Sequence, residues 1–263
     1  MPRGGLGRAR PGSGRRAAVT AFVLVHGAFR GGWAWRAVRR HLLTAGHDVH
    51  APSLVGAGEH HQRLSEVTGL GVWSDQISRL ILLEDLREVV LVGHSQGGLV
   101  TSSVAARIPD RIATVVHLDA AVPAPGERAV DLGGAPDVLP ERGAHVEARP
   151  VPLEAGEYDR DTAAWVNARL CASPVGPALD PVPAVPDGVR QVFAFCAGTP
   201  AGYPAHATRL RLDALAMPYV VLDSGHDAPL SAPRAVADLL LAQVPDLDPT
   251  TASTTSTTKA GTR

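Results

Sequence analysis

The sequence predicts an α/β fold, in which a mostly parallel sheet of about six strands carries helices on both faces. Short and nearly continuous apolar runs alternate with segments of helical periodicity, a pattern typical of strands buried on both sides of a parallel sheet. One of these runs stops at the glycine-flanked serine of LVGHSQGG, residues 91–98. A chain of 263 residues that is 45% hydrophobic can fill one core of this kind.

Six apolar runs predict the strands, in the order 19–25, 47–51, 88–92, 112–118, 190–196 and 218–222. Segments with helical periodicity separate them, at 33–45, 72–85, 97–107, 205–216 and 232–243. Crossovers between parallel strands are expected to be right-handed.

The alternation is interrupted between residues 123 and 188, where the chain is rich in proline and glycine and shows one helical pattern, at 161–170. Because open α/β sheets bind ligands at the carboxyl ends of their strands, this interruption predicts a cap inserted over that edge. The expected core then comprises residues 17–122 and 189–245.

The two ends of the chain differ in composition from the rest. Residues 1–16 contain five arginines and no acid, and residues 246–263 are polar and of low complexity, so we expect a disordered basic leader and a disordered tail. A net charge of −1 does not favour nucleic-acid binding, and no run of about 18–20 apolar residues predicts a membrane span. The two cysteines are too few for a disulfide scaffold and favour a cytoplasmic location.

Ser95 lies in a G-x-S-x-G pattern between a predicted strand and a predicted helix. In this context the glycines permit a tight, strained turn that lifts the serine hydroxyl out of the sheet. Ser95 is therefore the candidate nucleophile. The backbone N–H of Gln96, at the start of the helix, is a candidate donor to an oxyanion.

A second oxyanion donor is expected in the loop after the first strand, His26-Gly27-Ala28-Phe29. Gly27 permits a sharp turn, and the Ala28 N–H is then free to face the same pocket. Each donor of this kind contributes roughly 3 kcal/mol to stabilising a tetrahedral intermediate. We interpret His26 as a structural residue of the loop.

His226 follows the last predicted strand, in the stretch Leu222-Asp223-Ser224-Gly225-His226. A histidine at this place can fold back over the strand ends toward Ser95. It is the candidate general base, which takes the serine proton and later gives it to the leaving group.

Five stretches together resemble the α/β-hydrolase superfamily, and more narrowly the plant methylesterase and hydroxynitrile-lyase family with its bacterial esterase relatives. They are LVHGAFRGGWAW (24–35), AGHDVHAPSL (45–54), LVGHSQGG (91–98), LDAAVP (118–123) and LDSGHDAPLSAP (222–233). The resemblance implies a serine carboxylesterase that needs no cofactor. Lyase members have a threonine in the first oxyanion loop and a lysine after the histidine; Gly27 or Ala28 and Asp227 stand there, which argues against cyanohydrin cleavage.

The catalytic acid departs from the family pattern. Plant members carry it in the loop after the penultimate strand, in a motif like CTED, whereas the loop here, AGTPAGY at 197–203, has no acid. Asp119, at the end of strand 112–118, is the best replacement, because that strand is expected beside the nucleophile's strand. Asp223, Asp227 and the absence of any acid are the alternatives.

The predicted pocket wall has mainly apolar residues and suits a small hydrophobic ester or lactone. The candidates are Phe29, Arg30, Gln96, Val122, Tyr158, Trp165 and Leu230. Arg30 either meets a substrate carboxylate or carbonyl or faces solvent, and Tyr158 and Trp165 are also compatible with a cap core. The adjacent pair His60-His61 lacks a third ligand at useful spacing, so no metal is predicted.

Three functions are compatible with these residues. The first is a metal-independent serine esterase, for which a homodimer is one compatible assembly. The second is a biosynthetic thioesterase or cyclase on the same residues, and the third is a small-molecule binding protein with vestigial catalysis. A serine-directed probe separates the first two from the third.

Overall fold

The computed structural model describes residues 19–134, 136–154 and 156–244. Its strands are β1 (Ala21–Val25), β2 (Asp48–His50), β3 (Val89–His94), β4 (Ile112–Leu118), β5 (His145–Val146), β6 (Ser173–Pro174), β7 (Arg190–Cys196) and β8 (Val220–Leu222). Its α-helices are α1 (Arg36–Thr44), α2 (Leu70–Leu83), α3 (Gly97–Arg107), α4 (Arg160–Asn167), α5 (Pro204–Ala214), α6 (Ala228–Ser231) and α7 (Pro233–Leu241). Short 3-10 helices lie at Gly32–Trp35, Gly58–Glu66, Pro109–Arg111, Ala129–Asp131 and Gly176–Leu179.

The six predicted strands form one sheet in the order β2-β1-β3-β4-β7-β8. Every neighbouring pair in it is parallel, with Val23 beside Leu91 and Leu91 beside Val115 at the centre. The expected α/β-hydrolase architecture is confirmed, and the sheet is wholly rather than mostly parallel. The short strands β5 and β6 form a separate antiparallel pair.

The strand β1 is apolar throughout because both of its faces are buried. In β1, Val23 and Val25 face α2 and α3, whereas Phe22 and Leu24 face α1 and α7. The same alternation, which is the two-residue period of a strand, continues in β3. Two hydrophobic layers therefore fix the sheet from opposite sides.

Several local features differ from the sequence predictions. The predicted helix 33–45 begins with a 3-10 turn before α1, and strand 218–222 pairs only from Val220 onward, since Pro218 has no N–H to give to a neighbour. The 3-10 segment Gly58–Glu66 and helix α6 were not predicted, because both are short and lack a long apolar period. The predicted disordered segments 1–16 and 246–263 lie outside the described residues.

The chain between β4 and β7 contains β5, α4 and β6. Asp159 precedes helix α4, and its side chain accepts a hydrogen bond of 2.7 Å from the Thr162 N–H, so it caps the N-terminus of the helix. Within the described residues, no helix is both long and apolar enough to cross a membrane.

Candidate active site

Ser95 occupies the turn between β3 and α3, with a left-handed backbone (φ 53°). Two glycines make this turn possible, because a Cβ on Gly93 would lie 2.6 Å from the Gly97 carbonyl oxygen and one on Gly97 would lie 2.6 Å from the Val25 oxygen. Backbone atoms cannot shift enough to accommodate contacts this short. The glycines therefore let β1, β3 and α3 approach closely enough to present the serine side chain at the sheet edge.

His226 lies between Ser95 and Asp119. Its Nδ1 is 2.6 Å from Asp119 Oδ2, and its Nε2 is 3.0 Å from Ser95 Oγ. An ionised carboxylate only accepts hydrogen bonds, so the ring proton lies on Nδ1 and the Nε2 lone pair faces the serine hydroxyl. The ring thereby adopts the tautomer that can take a proton from Ser95.

Asp119 is 1% exposed and continues β4 in a left-handed conformation (φ 44°). Besides His226, its carboxylate accepts the Cys196 N–H at 3.2 Å and the Thr199 hydroxyl. Burial by itself would raise the pKa of Asp119, but the hydrogen bonds from His226 and Thr199 outweigh it and hold that pKa below its usual value. The group is thus a buried, charged carboxylate aimed at the imidazole.

Asp227, one of the alternative acids, does not accept a hydrogen bond from the His226 ring. It forms a buried ion pair with Arg30 instead, and the charge of Arg30 contributes to a lowered pKa of Asp227 despite the opposing effect of burial. The loop at 197–203 has no acid of its own, but its Thr199 hydroxyl donates a hydrogen bond to the carboxylate of Asp119, which follows another strand.

Two further histidines support the site in neutral form. The His94 Nε2 donates to the His226 carbonyl oxygen at 2.8 Å, and burial, with the nearby His226, lowers the pKa of His94 to about 4. His26 donates from Nδ1 to the Gly27 carbonyl at 2.8 Å and accepts the Leu54 N–H at 3.0 Å. Burial lowers the pKa of His26 to about 4 as well, which fits a structural residue.

The backbone N–H groups of Ala28 and Gln96 are both free. Neither donates a hydrogen bond to another group in the described part of the chain. Gly27 brings its loop close to Ser95, because a Cβ there would lie 2.8 Å from the Cβ of Ser95. One of these N–H groups directly follows Ser95 in the chain and the other directly follows Gly27, and backbone N–H groups without a partner are the kind of donor that holds a developing oxyanion.

A cavity of about 500 Å³ opens above Ser95 and His226. Of the predicted wall residues, Phe29, Arg30 and Tyr158 line it. Further wall residues that the sequence did not single out come from the segment between β4 and β7, among them Val146, Arg149, Val151 and Glu157. The wall is more polar than expected, since it includes several ionisable side chains.

Arg30 is buried and does not face solvent; Asp227 already neutralises its charge. The alternative that Arg30 faces solvent is therefore wrong.

Four predicted wall residues, Gln96, Val122, Trp165 and Leu230, lie outside this cavity. The Val122 N–H donates to Thr208 Oγ1 at 3.0 Å, and its side chain packs in a small core with Phe193 and Phe195. Trp165 packs edge-on against Trp33, with ring centroids 5.2 Å apart.

Leu230 lies with Trp165 in a separate surface groove. The Gln96 side chain, which was also expected at the wall, accepts a hydrogen bond of 3.1 Å from the Ser173 hydroxyl.

Sequence reasoning missed two residues beside His226. The Tyr203 ring lies edge-on to the imidazole, with centroids 4.4 Å apart. Glu157 accepts from the Ser231 hydroxyl and from the Asp227 N–H, the latter at 3.3 Å, and burial raises the pKa of Glu157. Both are far from His226 in the chain, and no pattern in the sequence connects them to it.

The described residues contain no candidate metal site, because no three His, Cys, Asp or Glu side chains lie close enough together to hold a metal ion. His60 and His61 lie in the 3-10 segment after β2, and His61 is exposed.

A family model and several curated esterases match the sequence of this chain. The family model for the alpha/beta hydrolase family matches residues 22–239. A carbendazim hydrolyzing esterase of Nocardioides sp. (strain SG-4G) is 37% identical over 163 residues, 56% of this chain and 66% of that protein. Methyl jasmonate esterase 1 of Vitis vinifera is 37% identical over 105 residues, 40% of each chain.

Among solved structures, a methylesterase from Arabidopsis superposes with a TM-score of 0.70 at 26% identity, covering 85% of this chain and 98% of that one. The sequence matches to the curated esterases are shorter. They span less than two thirds of those proteins, at 66% and 40% of their lengths.

Proposed function

The chain belongs to the alpha/beta hydrolase family, and on that premise we propose that it is a serine hydrolase of carboxylic esters or lactones. One observation carries the proposal: His226 lies within hydrogen-bond distance of both Ser95 and Asp119, at 3.0 Å and 2.6 Å, at the base of a cavity. The names of the similar proteins, which are esterases, support the same reaction class.

In the proposed mechanism, Ser95 Oγ attacks the ester carbonyl while His226 Nε2 takes its proton. The Ala28 and Gln96 N–H groups stabilise the oxyanion of the tetrahedral intermediate, and Asp119 stabilises the imidazolium through Nδ1. The imidazolium then protonates the leaving alcohol, and an acyl group remains on Ser95. Water, activated by His226, releases the acid and restores the serine.

The substrate is proposed to be a small ester or lactone with a hydrophobic part. A cavity of about 500 Å³ lies in the range of pockets that bury small molecules, roughly 300–1,000 Å³. Phe29, Val146 and Val151 supply apolar wall. We assign residues 123–188 to a cap, an interpretation supported by their contribution of Val146, Val151 and Tyr158 to that wall.

We further propose a cytoplasmic homodimer. The free thiols of Cys171 and Cys196 suit a reducing compartment. The edge strand β8 exposes Val220 and Val221, at 42% and 46%, and such an edge is a ready site for pairing with a second copy. Light scattering after size exclusion tests the dimer.

Hydrolysis of p-nitrophenyl acetate and butyrate tests the proposed reaction, together with fluorophosphonate labelling. Ser95→Ala is expected to lose both turnover and labelling, whereas the exposed Ser65→Ala control retains them. Full activity in Ser95→Ala would refute the proposal. Labelling of Ser95 without turnover of either ester would favour a specialised thioesterase or cyclase, and the absence of both would favour a binding protein.

A further inference from the structure

Arg30 and Asp227 form an ion pair between two loops of the site. Arg30 follows Ala28 by two residues in the loop after β1, and Asp227 directly follows His226 after β8. The Arg30 Nη2 donates to Asp227 Oδ2, and the two side chains are 11% and 13% exposed. Each loop carries one part of the proposed machinery, so the pair joins the oxyanion donor to the general base.

A largely buried ion pair is a costly way to stabilise a fold. Removing two charges from water consumes most of the attraction between them, and apolar residues of similar volume often give equal or greater stability. Such a pair does fix the relative position of the two elements that carry it, because a guanidinium and a carboxylate bind each other at a defined distance and in a defined direction. Its position between two loops of the site suggests that geometry is its contribution here.

The loop that carries Arg30 is strained. Phe29, between Ala28 and Arg30, has a left-handed backbone (φ 64°), a conformation that is strained for a residue with a side chain and persists only where surrounding contacts impose it. Cys171 supplies two such contacts, from its N–H to the Phe29 oxygen at 3.3 Å and from its thiol to the Arg30 oxygen at 3.7 Å. The Arg30 side chain supplies the third, to Asp227.

The loop that carries His226 is held in a similar way. His94, next to the nucleophile, donates to the His226 carbonyl oxygen at 2.8 Å, which fixes the backbone at that residue. One residue later, Arg30 holds the Asp227 side chain. The imidazole is therefore tied on one side to the nucleophile's turn and on the other to the oxyanion loop.

We propose that the Arg30–Asp227 pair is a positioning clamp, which holds the Ala28 N–H and the His226 ring in their places on either side of Ser95. This inference rests on the proposed function of Ser95 and His226. Neither side chain of the clamp touches the reacting atoms, and Arg30 does not bind a substrate anion. Because an oxyanion donor and a general base act on the transition state, loss of the clamp lowers kcat and changes KM little.

The test compares the wild type with Arg30→Gln, Asp227→Asn, the double variant and Arg30→Lys, using p-nitrophenyl butyrate. A displacement of about 1 Å in such a site lowers the rate about 100-fold, and we expect each neutralising substitution to lower kcat by that order with KM nearly unchanged. The double variant is expected to lose no more than the worse single variant, because both substitutions remove one interaction. Arg30→Lys, which keeps the charge, should recover part of kcat.

Two controls separate a positioning role from a purely structural one. The exposed pair Arg63–Glu66, with side chains 51% and 52% exposed, provides the matched variant Arg63→Gln, which should leave kcat unchanged. Urea unfolding of every variant shows whether kcat falls in protein that is fully folded. The rate of fluorophosphonate labelling, which requires the same His226 and oxyanion geometry, should fall in parallel with kcat.

A folded Asp227→Asn with wild-type kcat overturns the clamp, even if Arg30→Gln does not fold. An effect of Arg30→Gln confined to KM also overturns it and assigns Arg30 to substrate binding. Ser95→Ala is measured in the same series. If Ser95→Ala remains active, the proposed function itself is wrong; if it is inactive while both clamp variants keep wild-type kcat, only the clamp is wrong.

Discussion

Replacing Asp119 by asparagine changes one atom of the side chain and removes its charge. Asp119 is 1% exposed, and three donors converge on its carboxylate: the His226 Nδ1–H, the Cys196 N–H and the Thr199 hydroxyl. An amide has one acceptor oxygen and two N–H donors. It cannot serve all three partners in either orientation.

If the amide oxygen remains beside Cys196, the amide N–H₂ faces His226 and Thr199 where Oδ2 was. His226 must then accept at Nδ1 and carry its proton on Nε2, and that tautomer cannot take the Ser95 proton. If the amide flips, its N–H₂ faces the Cys196 N–H, and a buried unpaired donor costs about 1–3 kcal/mol. We therefore expect kcat to fall about 10⁴-fold, as for the wrong tautomer in serine proteases, or about 5.4 kcal/mol.

The assay is the kcat of p-nitrophenyl butyrate hydrolysis for wild type and Asp119→Asn, with urea unfolding to establish that the variant is folded. Asp223→Asn is the matched control, since Asp223 lies three residues from His226 in the chain and should leave kcat unchanged. A folded Asp119→Asn within ten-fold of the wild type would refute the assignment. Loss of activity in Asp223→Asn would transfer the acid role to that residue.

Three further outcomes are expected. Gly27→Ala should lower kcat at least 100-fold, because its Cβ would lie 2.8 Å from the Ser95 Cβ. Steady-state kinetics measure this, and a kcat equal to that of the wild type would contradict it. Thr199→Val should lower kcat/KM about ten-fold by removing a hydrogen bond to a charged group, whereas Thr199→Ser should restore it. His26 and His117 have pKa values lowered to about 4 by burial. The unfolded chain therefore binds more protons than the folded chain between pH 4 and about 6.5. The free energy of unfolding should increase as the pH rises through this range, by up to about 1.4 kcal/mol per pH unit for each histidine. Urea titrations of wild type and His117→Phe measure this slope, and an equal slope in both would contradict the prediction.

Much of the fold follows from periodicity alone. The strands β3 and β4 are short, mainly apolar segments between turn signals, and their burial on both faces is the pattern typical of a parallel sheet. Ser95 and His226 could be located in the same way, because a strand end in a parallel sheet fixes which edge a residue occupies. Asp119 was a harder case, and the expected adjacency of its strand to β3 was the information that singled it out.

Contacts within the segment between β4 and β7 could not be predicted. Its wall residues, such as Val146 and Glu157, come from irregular chain whose path depends on tertiary packing. The pairing of Arg30 with Asp227 joins residues 197 positions apart, and neither has a local pattern that indicates the other. Trp165 shows the opposite difficulty: it was a candidate for the pocket wall, but an aromatic residue in this segment can equally pack inside the protein, and here it packs against Trp33.

Backbone strain at the site leads to a last prediction. Three residues just beyond the ends of adjacent strands, Phe29, Ser95 and Asp119, have left-handed backbone, with φ of 64°, 53° and 44°. For Ser95, such a conformation costs about 1–2 kcal/mol relative to glycine. Ser95→Gly should therefore be about 1 kcal/mol more stable than Ser95→Ala, although both lack the hydroxyl.

Urea unfolding measures this difference, and Ser103 provides the matched control. Ser103 lies inside helix α3 and is also buried, and there glycine should be less stable than alanine by about 0.5–1 kcal/mol. The sign of the Gly-against-Ala difference is thus expected to reverse between the two serines. The same sign at both positions would mean that the turn at Ser95 stores no strain, and that the chain holds the Ser95 hydroxyl in place without cost to the stability of the fold.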